Sequence, residues 1–509
     1  MKSYLFTLTI SPVQSFIAQA RKSQDLFAGS EILSQLMGKV LETFTEKERI
    51  FPQDEKAVSN KIVVKLVDKD PIEIGEKLEK LVRDELYRIG SKTLLSFQGV
   101  SINMQFFQEH IQTQLCEFFQ VFWVAVDYQE GYVKLEKNLG AIKNLRQFHQ
   151  LPQESGQKCS LCGERNGLFY NNDKPPRYII KNAIRIQDAR IQDNETLCAV
   201  CFTKRNYKQN GSFPSLADIV TFDRKDKLNG QDAEAFLDAN PSEKKHYALL
   251  HFDVDSLGKT LSGLVMQGQK DLSTVLGDFA QKVGSEVLTS QKGRTVYAGG
   301  DDFLGFVNLA SVFVVMQKIK DAFGEAKASL PYALTFSTSI VIAHYKTPLH
   351  KVLDYSRELL EESKNHFDDK NGLGIMVMSS NAVISKTICR YDDVALLQEL
   401  KEKGMAKNLH FKLAQIFDYL ESQQNIKKED YDSLILMLEY EIKRLLKREE
   451  GSFDETLYEK LVLFLHRQVS GLKTEDKIKI NFDNFTQFLK TLEQLRKVCY
   501  DKIYDDKTA

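Results

Sequence analysis

Residues 4–10, YLFTLTI, alternate as a strand does, and after Ser11-Pro12 the apolar positions take helical spacing at Val13, Phe16, Ile17 and Ala20. A second helix follows, with Ile32, Leu33, Leu36, Met37, Val40, Leu41 and Phe44 on one face. KIVVKLV (61–67) predicts a strand, 73–89 an amphipathic helix and VFWVAVDY (121–128) a buried strand, so an α/β domain ends near residue 140.

Residues 141–240 carry paired cysteines, DKPPRY and polar loops such as YKQNGSFPS, with no sustained period, which predicts a metal-stabilised insert. From His246 the periodic signals return. HYALLHF (246–252) is a strand; Leu272, Val275, Leu276, Phe279, Ala280, Val283 and Val287 mark a helix; 293–298 and 303–308 are strands flanking Gly299 to Asp302. A helix then carries Val312, Val315, Met316, Ile319 and Phe323, and 332–343 is a strand. Thr347-Pro348 predicts an N-cap followed by proline at the first helical position, opening a helix with Leu349, Val352, Leu353, Ser356, Leu359 and Leu360 on one face. GIMVM (374–378) closes this domain, placed at 241–384. The order is β-α-β-β-α-β-α-β, whose first six elements are a ferredoxin-like unit. After about residue 385 the β signal is expected to stop, and helices at 394–421, 430–448, 453–469 and 484–500 predict an all-α bundle over 385–509.

Composition narrows the class. A chain of 509 residues exceeds what one core organises, so three or four domains are expected. Charged residues make up 27% with a formal net charge of −1, so the overall balance does not announce a nucleic-acid binder. Seven cysteines, four of them in two C-x-x-C pairs, favour a reducing, intracellular setting and a cytoplasmic location. The N-terminal stretch is poor material for a signal peptide, and no apolar run approaches ~20 residues, so no membrane span is expected.

The chemistry follows from topology. In a right-handed split β-α-β, strands one and two are parallel with strand three antiparallel between them, so the β2–β3 turn lies at the carboxyl end of the first strand. That turn is Gly-Gly-Asp-Asp, and the residue just beyond HYALLHF is Asp253, so Asp253 and Asp301 are expected on one sheet edge. Converging carboxylates there favour Mg²⁺ (or Mn²⁺), which takes its remaining ligands from water and substrate phosphates. A two-metal arrangement would activate a ribose hydroxyl and stabilise departing pyrophosphate. Gly299 and Gly300 let a nucleotide approach the backbone. Asp255, Ser256, Leu257, Gly258 and Lys259 form a strand-to-helix turn whose N–H groups suit phosphate, with Lys259 and Lys364 as counter-charges. The plainer readings stand beside these: a hairpin turn for Gly-Gly, a helix cap for Asp255, solvated side chains for the two lysines.

Cys159, Cys162, Cys198 and Cys201 form two thiolate knuckles that suit structural Zn²⁺, with redox-active thiols as the rival; 35 residues separate the pairs. Cys116, Cys389 and Cys499 read as buried apolar residues. Lys174, Arg177, Lys181, Arg185, Arg190, Lys204 and Arg205 form a basic cluster, either a solvated face or a contact for an RNA backbone. None of the nine histidines directly precedes aspartate, so a nuclease built on a His-Asp dyad has no evident home.

SPVQSFIAQARKSQDLFAGSEILS (11–34), KCSLCGERNGLF, LCAVCFTKR, HFDVDSLGK and YAGGDDFLGF together resemble the large palm-domain subunit of type III-B (Cmr) CRISPR–Cas effector complexes, through most of the first 380 residues. The resemblance implies an α+β fold with two ferredoxin-like palm (nucleotide cyclase-like) domains, a zinc-binding insert and an all-α C-terminal bundle. It implies metal ligation by Asp253 and Asp301, an assisting Asp302, and a substrate-facing Gly299-Gly300 turn. Two ATP molecules would lie across the palm interface. The first palm, which has no Gly-Gly-Asp-Asp, would be the acceptor site, with Ser11, Gln14, Arg21 and Ser30 as candidate contacts or else caps and surface residues.

The implied partners are the other Cmr subunits, crRNA and target RNA. The implied reaction is RNA-activated nucleotidyl transfer from ATP, giving 3′–5′ linked cyclic oligoadenylate or an AMP conjugate with a molecule such as S-adenosylmethionine. Many family members carry an N-terminal His-Asp nuclease domain; this sequence starts at the first palm. Two other readings are a catalytically idle scaffold binding crRNA and partner subunits, and a stand-alone diguanylate cyclase. Clustered acid at a sheet edge weighs against the first, and the cysteine insert with the helical tail against the second.

Overall fold

The computed structural model describes residues 2–53, 59–97, 100, 102–145, 155–188, 190–207, 213–224, 228, 230–289, 292–379, 382–403, 415, 431–449, 454–470 and 482–500. The chain opens with β1 (Ser3–Ser11), α1 (Val13–Ala18), α2 (Ser23–Leu41), β2 (Arg49–Phe51), β3 (Lys61–Val67), α3 (Pro71–Leu95), α4 (Met104–Ile111), β4 (Gln120–Asp127) and α5 (Gly131–Asn144). Its sheet has the order β2-β3-β1-β4 with every neighbouring pair antiparallel, the ferredoxin-like arrangement. The three-residue β2 completes it and is too short to register as alternation. Local chemistry sets the helix starts: Asp70 accepts from Ile72 N at 2.9 Å, and Pro71 occupies the first helical position of α3.

A small sheet of β5 (Phe169–Tyr170), β6 (Ile184–Arg185) and β7 (Thr196–Leu197), ordered β6-β5-β7, leads into α6 (Ala199–Asn206), α7 (Leu216–Thr221) and α8 (Gln231–Ala239). The larger sheet then forms from β8 (His246–Val254), β9 (Gly293–Ala298), β10 (Asp302–Asn308), β11 (Phe336–His344), β12 (Gly372–Met378) and β13 (Val383–Arg390). Its order, β13-β12-β11-β8-β10-β9, contains a second ferredoxin-like unit in its last four strands. The helices of this part are α9 (Leu257–Gly263), α10 (Met266–Lys282), α11 (Val312–Ala328) and α12 (Leu349–His366). α12 begins one residue after Pro348, and Thr347 makes no side-chain cap; the proline rather than Thr347 stands at the N-cap.

Both faces of the larger sheet are buried, which is why HYALLHF is apolar on both sides. Ala248, Leu250 and Phe252 pack with α10 and α11, where Phe252 stacks on Phe303 at 4.9 Å. Tyr247 and Leu249 face a second core that includes Leu8, Ile32 and Leu36 of the first sheet's unit. The β signal, expected to end near 385, continues to Arg390 because β13 pairs antiparallel with β12. The helices beyond are α13 (Val394–Lys403), α14 (Tyr431–Glu449), α15 (Glu455–Ser470) and α16 (Phe482–Tyr500). The span 404–421, expected as helix, lies outside the described residues apart from residue 415. Among the described residues of these helices, Leu461, Phe464 and Phe488 join the core that holds Phe252.

Candidate active site and cysteine cluster

β8 and β10 run antiparallel with Asp302 opposite Asp253, and Phe303 opposite Phe252 one step inward. Val254 N donates to Asp301 O at 2.9 Å, and Gly299 N donates to Asp302 O at 2.8 Å, so the hairpin tip is pinned to the end of β8. Gly300 takes φ +86°, a conformation that glycine adopts without strain. At Gly299 a Cβ would fall 2.6 Å from Asp302 Oδ1, so this glycine makes room for the carboxylate beside it.

Asp253, Asp301 and Asp302 line one cavity of about 650 Å³, within the range of small-molecule sites. Its opposite wall comes from α1 and α2, through Gln14, Ile17, Phe27, Ser30 and Ser34. Burial, reinforced by the charge of Asp253, pushes the Asp301 carboxyl up to about 6. Burial and the charge of Asp301 push Asp302 well above the usual range. Asp253 is raised mainly by burial and held back by Lys364, whose Nζ lies 2.9 Å from Asp253 Oδ1. Three crowded carboxylates, of which only Asp253 is paired with Lys364 among the ion pairs of the described residues, suit a hard divalent cation. Among the described residues only the cysteines bring three or more ligand atoms within 4.8 Å of one another. The carboxylates are therefore not a closed cage, and an ion held here would complete its shell from water and substrate oxygens.

Of the other residues expected at a nucleotide, Gln14, Ser30, Gly299 and Lys364 line the cavity. The structure does not bring the rest of that set to its wall. Asp255 is 4% exposed; it accepts from the Thr335 and Ser337 hydroxyls at 2.8 Å each and from Asn371 N at 3.0 Å. It ties β8 to β11 and to the residue before β12, and does not cap α9, whose N-cap Ser256 makes no side-chain bond. Leu257 is buried beneath that turn, while Gly258 and Lys259 face solvent. Ser11 ends β1 opposite Gln120, and Arg21 pairs with Glu195 at 2.9 Å.

Among the cavity residues that escape sequence reasoning are His251, Tyr297 and Arg357. His251 lies two residues before Asp253 on the same strand face, with its ring nitrogens 3.4 Å from the Tyr297 and Ser356 hydroxyl oxygens. Burial, with Arg357 and Lys364 nearby, lowers its pKa to about 3, so it stays neutral. Tyr297 lies on β9, and Arg357 reaches Gln14 O at 3.3 Å across the cavity. The i−2 step from Asp253 and the i−7 step from Lys364 on one helix face were the available signals.

Cys159, Cys162, Cys198 and Cys201 converge, with Cys162 Sγ 3.8 Å from Cys198 Sγ. A tetrahedral ion with bonds of about 2.3 Å to sulfur requires sulfur atoms about 3.8 Å apart, so the set fits a metal of that kind. Cys116 and Cys389 are buried as expected; the side chain of Cys499 lies outside the described residues. The basic cluster divides: Lys174, Arg177 and Lys181 are exposed, as a solvated face requires, and its last two residues are buried. Lys204 and Arg205 are 0% and 2% exposed, and Arg190 is bidentate to Asp188.

Two ferredoxin-like units, the helices α1 and α2 of one walling a cavity opposite a row of carboxylates at the hairpin edge of the other's sheet, define a two-palm protein. Residues 246–374 match the family described as Cas10/Cmr2, second palm domain, and residues 5–92 match CRISPR-associated protein Cmr2, N-terminal. In these two stretches the chain is similar to Cas10/Cmr2 proteins. It is 23% identical over 651 aligned positions to the CRISPR system Cmr subunit Cmr2 of Pyrococcus furiosus, covering 93% of this chain and 73% of that protein. Among solved structures it is similar to a type III-B Cmr-beta assembly bound to cognate target RNA, with TM-score 0.64 at 13% identity over 98% of this chain and 83% of the other. The apo state of Cmr-beta gives TM-score 0.61 at 13% identity over 98% and 82%.

Proposed function

We propose that the chain is the large subunit of an RNA-guided type III-B effector complex and a nucleotidyltransferase acting on ATP. The observation that carries this reading is the single cavity shared by Asp253, Asp301 and Asp302 on one side and α1 and α2 on the other. In it Asp253 and Asp301 would hold Mg²⁺ or Mn²⁺, with Asp302 as acidic neighbour; such an ion would supply Lewis-acid activation of the hydroxyl and charge neutralisation for the leaving pyrophosphate. Gly299, having no Cβ, leaves room for the Asp302 carboxylate, Lys364 and Arg357 offer positive charge to phosphate oxygens, and Gln14 and Ser30 meet the second nucleotide. The 3′-hydroxyl of one ATP gives its proton to water and its oxygen attacks the α-phosphorus of the other; a phosphodiester bond forms as the bond to pyrophosphate breaks and pyrophosphate departs.

Repetition and closure give cyclic oligoadenylate; S-adenosylmethionine as acceptor would give an AMP conjugate instead. The cysteine set holds structural Zn²⁺, which its thiolates retain in the reducing cytoplasm. Partner Cmr subunits, crRNA and target RNA are its assembly and its trigger. No helix among the described residues is long and apolar enough to cross a membrane.

The test is pyrophosphate release by the assembled complex with ATP, Mg²⁺ and matching target RNA. Wild type should release it and Asp301→Ala/Asp302→Ala should not. Equal release by both would reject the assignment. Mass spectrometry of the products, with and without S-adenosylmethionine, identifies what is made.

A further inference from the structure

α6 joins the cysteine cluster to the far wall of the cavity. Cys198 is its N-cap, and Cys201 N donates to Cys198 Sγ at 3.5 Å in its first turn. In the last turn Lys204 and Arg205 leave the helix toward the first palm. Lys204 Nζ donates to Phe16 O and, at 2.6 Å, to Gln19 O, carbonyls at the C-terminal end of α1. A helix C-terminus leaves such carbonyls without intrahelical partners, and a cation there is favoured by the dipole.

Arg205 engages both oxygens of Asp25, at 2.5 Å and 2.9 Å, and also Glu195 at 3.2 Å and Arg190 O at 2.8 Å. Asp25 in turn accepts from Arg21 N and Lys22 N at 3.2 Å and 3.1 Å, closing the N-terminus of α2. Two consecutive residues of α6 therefore grip the end of α1 and the start of α2. Those helices present Gln14, Ile17, Phe27 and Ser30 to the cavity. Buried charges tolerate little displacement once their partners are set, because an unpaired charge in the interior is costly.

We propose that Lys204 and Arg205 are positioning residues that couple the cysteine cluster to the first-palm wall of the cavity. Loss of the tether, or of the metal on the cluster, then weakens nucleotide binding while Asp253, Asp301 and Asp302 stay in place. The nucleotide part of this inference rests on the function proposed above.

The test uses the full chain as wild type, Lys204→Met and Lys204→Arg. Binding of a non-hydrolysable ATP analogue with Mg²⁺ is read by calorimetry, and hydrogen exchange is followed over residues 13–30. Lys204→Met should weaken the analogue roughly tenfold, within the range that coupling residues reach, and speed exchange at Gln19–Asp25. Lys204→Arg should restore both, and chelation of the wild-type metal should reproduce the faster exchange. A folded Lys204→Met chain with wild-type affinity and exchange overturns the proposal, as does chelation that leaves exchange at Gln19–Asp25 unchanged. Where Lys204→Met does not fold, Asp25→Asn makes the same test, since it keeps an acceptor for the α2 cap and removes the ion pair. A wild type that binds no nucleotide defeats the functional reading alone; the exchange measurements still decide the tether.

Discussion

Lys364 Nζ stands 2.9 Å from Asp253 Oδ1, so this lysine occupies a carboxylate that a metal ion would need. On the proposed function, a metal ion would have to compete with this lysine for Asp253, and a substrate phosphate would draw the lysine away. Lys364→Met should tighten binding of Mn²⁺ alone by about fivefold, ~1 kcal/mol, the scale of a partly solvated ion pair. The same variant should weaken binding of an ATP analogue with Mg²⁺. Titration of both ligands checks this, and a parallel fall in both affinities would contradict it.

The pH dependence of the same edge has a definite sign. Burial and Asp253 raise Asp301 to about 6 from an ordinary 3.8, so between these values the folded chain holds a proton that the unfolded chain has lost. Stability from this group is complete below about 3.8 and is lost as pH rises through about 6. Metal-free wild type should thus lose more melting temperature between pH 4 and pH 7 than Asp301→Asn does. Mn²⁺ affinity should fall below about pH 6, because the ion requires the carboxylate.

Asp255 is a fold-stabilising residue. Removing its carboxylate strands the Thr335 and Ser337 hydroxyls and Asn371 N, each without its acceptor. Asp255→Ala should cost about 3 kcal/mol or more of stability, by the usual cost of unsatisfied buried donors. Asp255→Asn, which keeps an acceptor, should cost less. Denaturant unfolding measures both, and a neutral Asp255→Ala would refute the assignment.

At the cysteine cluster, metal analysis should find one zinc per chain, and Cys198→Ser or Cys162→Ser should lower that content well below one. Both variants should also lower the melting temperature, because the ion closes a loop between two distant segments. Absence of metal together with a disulfide between any two of the four, in protein purified without reductant, would favour the redox reading instead.

The two palms were unevenly legible. Long strands with clear alternation, and α2, α10, α11 and α12 with helical periods, lie close to where the pattern predicts them. β2 was missed because three residues carry no period, and β13 because its alternation, Val383, Ser385, Thr387 and Cys389 against Ile384, Lys386, Ile388 and Arg390, puts no clean apolar face on either side. Around the site, a local turn motif suggested phosphate binding at Ser256 to Lys259, whereas the strand and helix faces that actually line the cavity hold His251, Tyr297 and Arg357. Charge misled most at Lys204 and Arg205, where basic residues in a polar stretch read as surface and are core.

What the sequence determined by itself is whatever depends on neighbours along the chain: the strand and helix periods, the Gly-Gly-Asp-Asp hairpin, the two C-x-x-C knuckles, and, through the chirality of the split β-α-β, the meeting of that hairpin with Asp253. Only the tertiary structure decided which residues of the first palm face the acidic edge, that Asp255 is a buried anchor, and that α6 ties the cysteines to α1 and α2. Those outcomes rest on contacts between segments up to 343 residues apart, such as Arg357 with Gln14, and no local period or motif encodes the packing that brings them together.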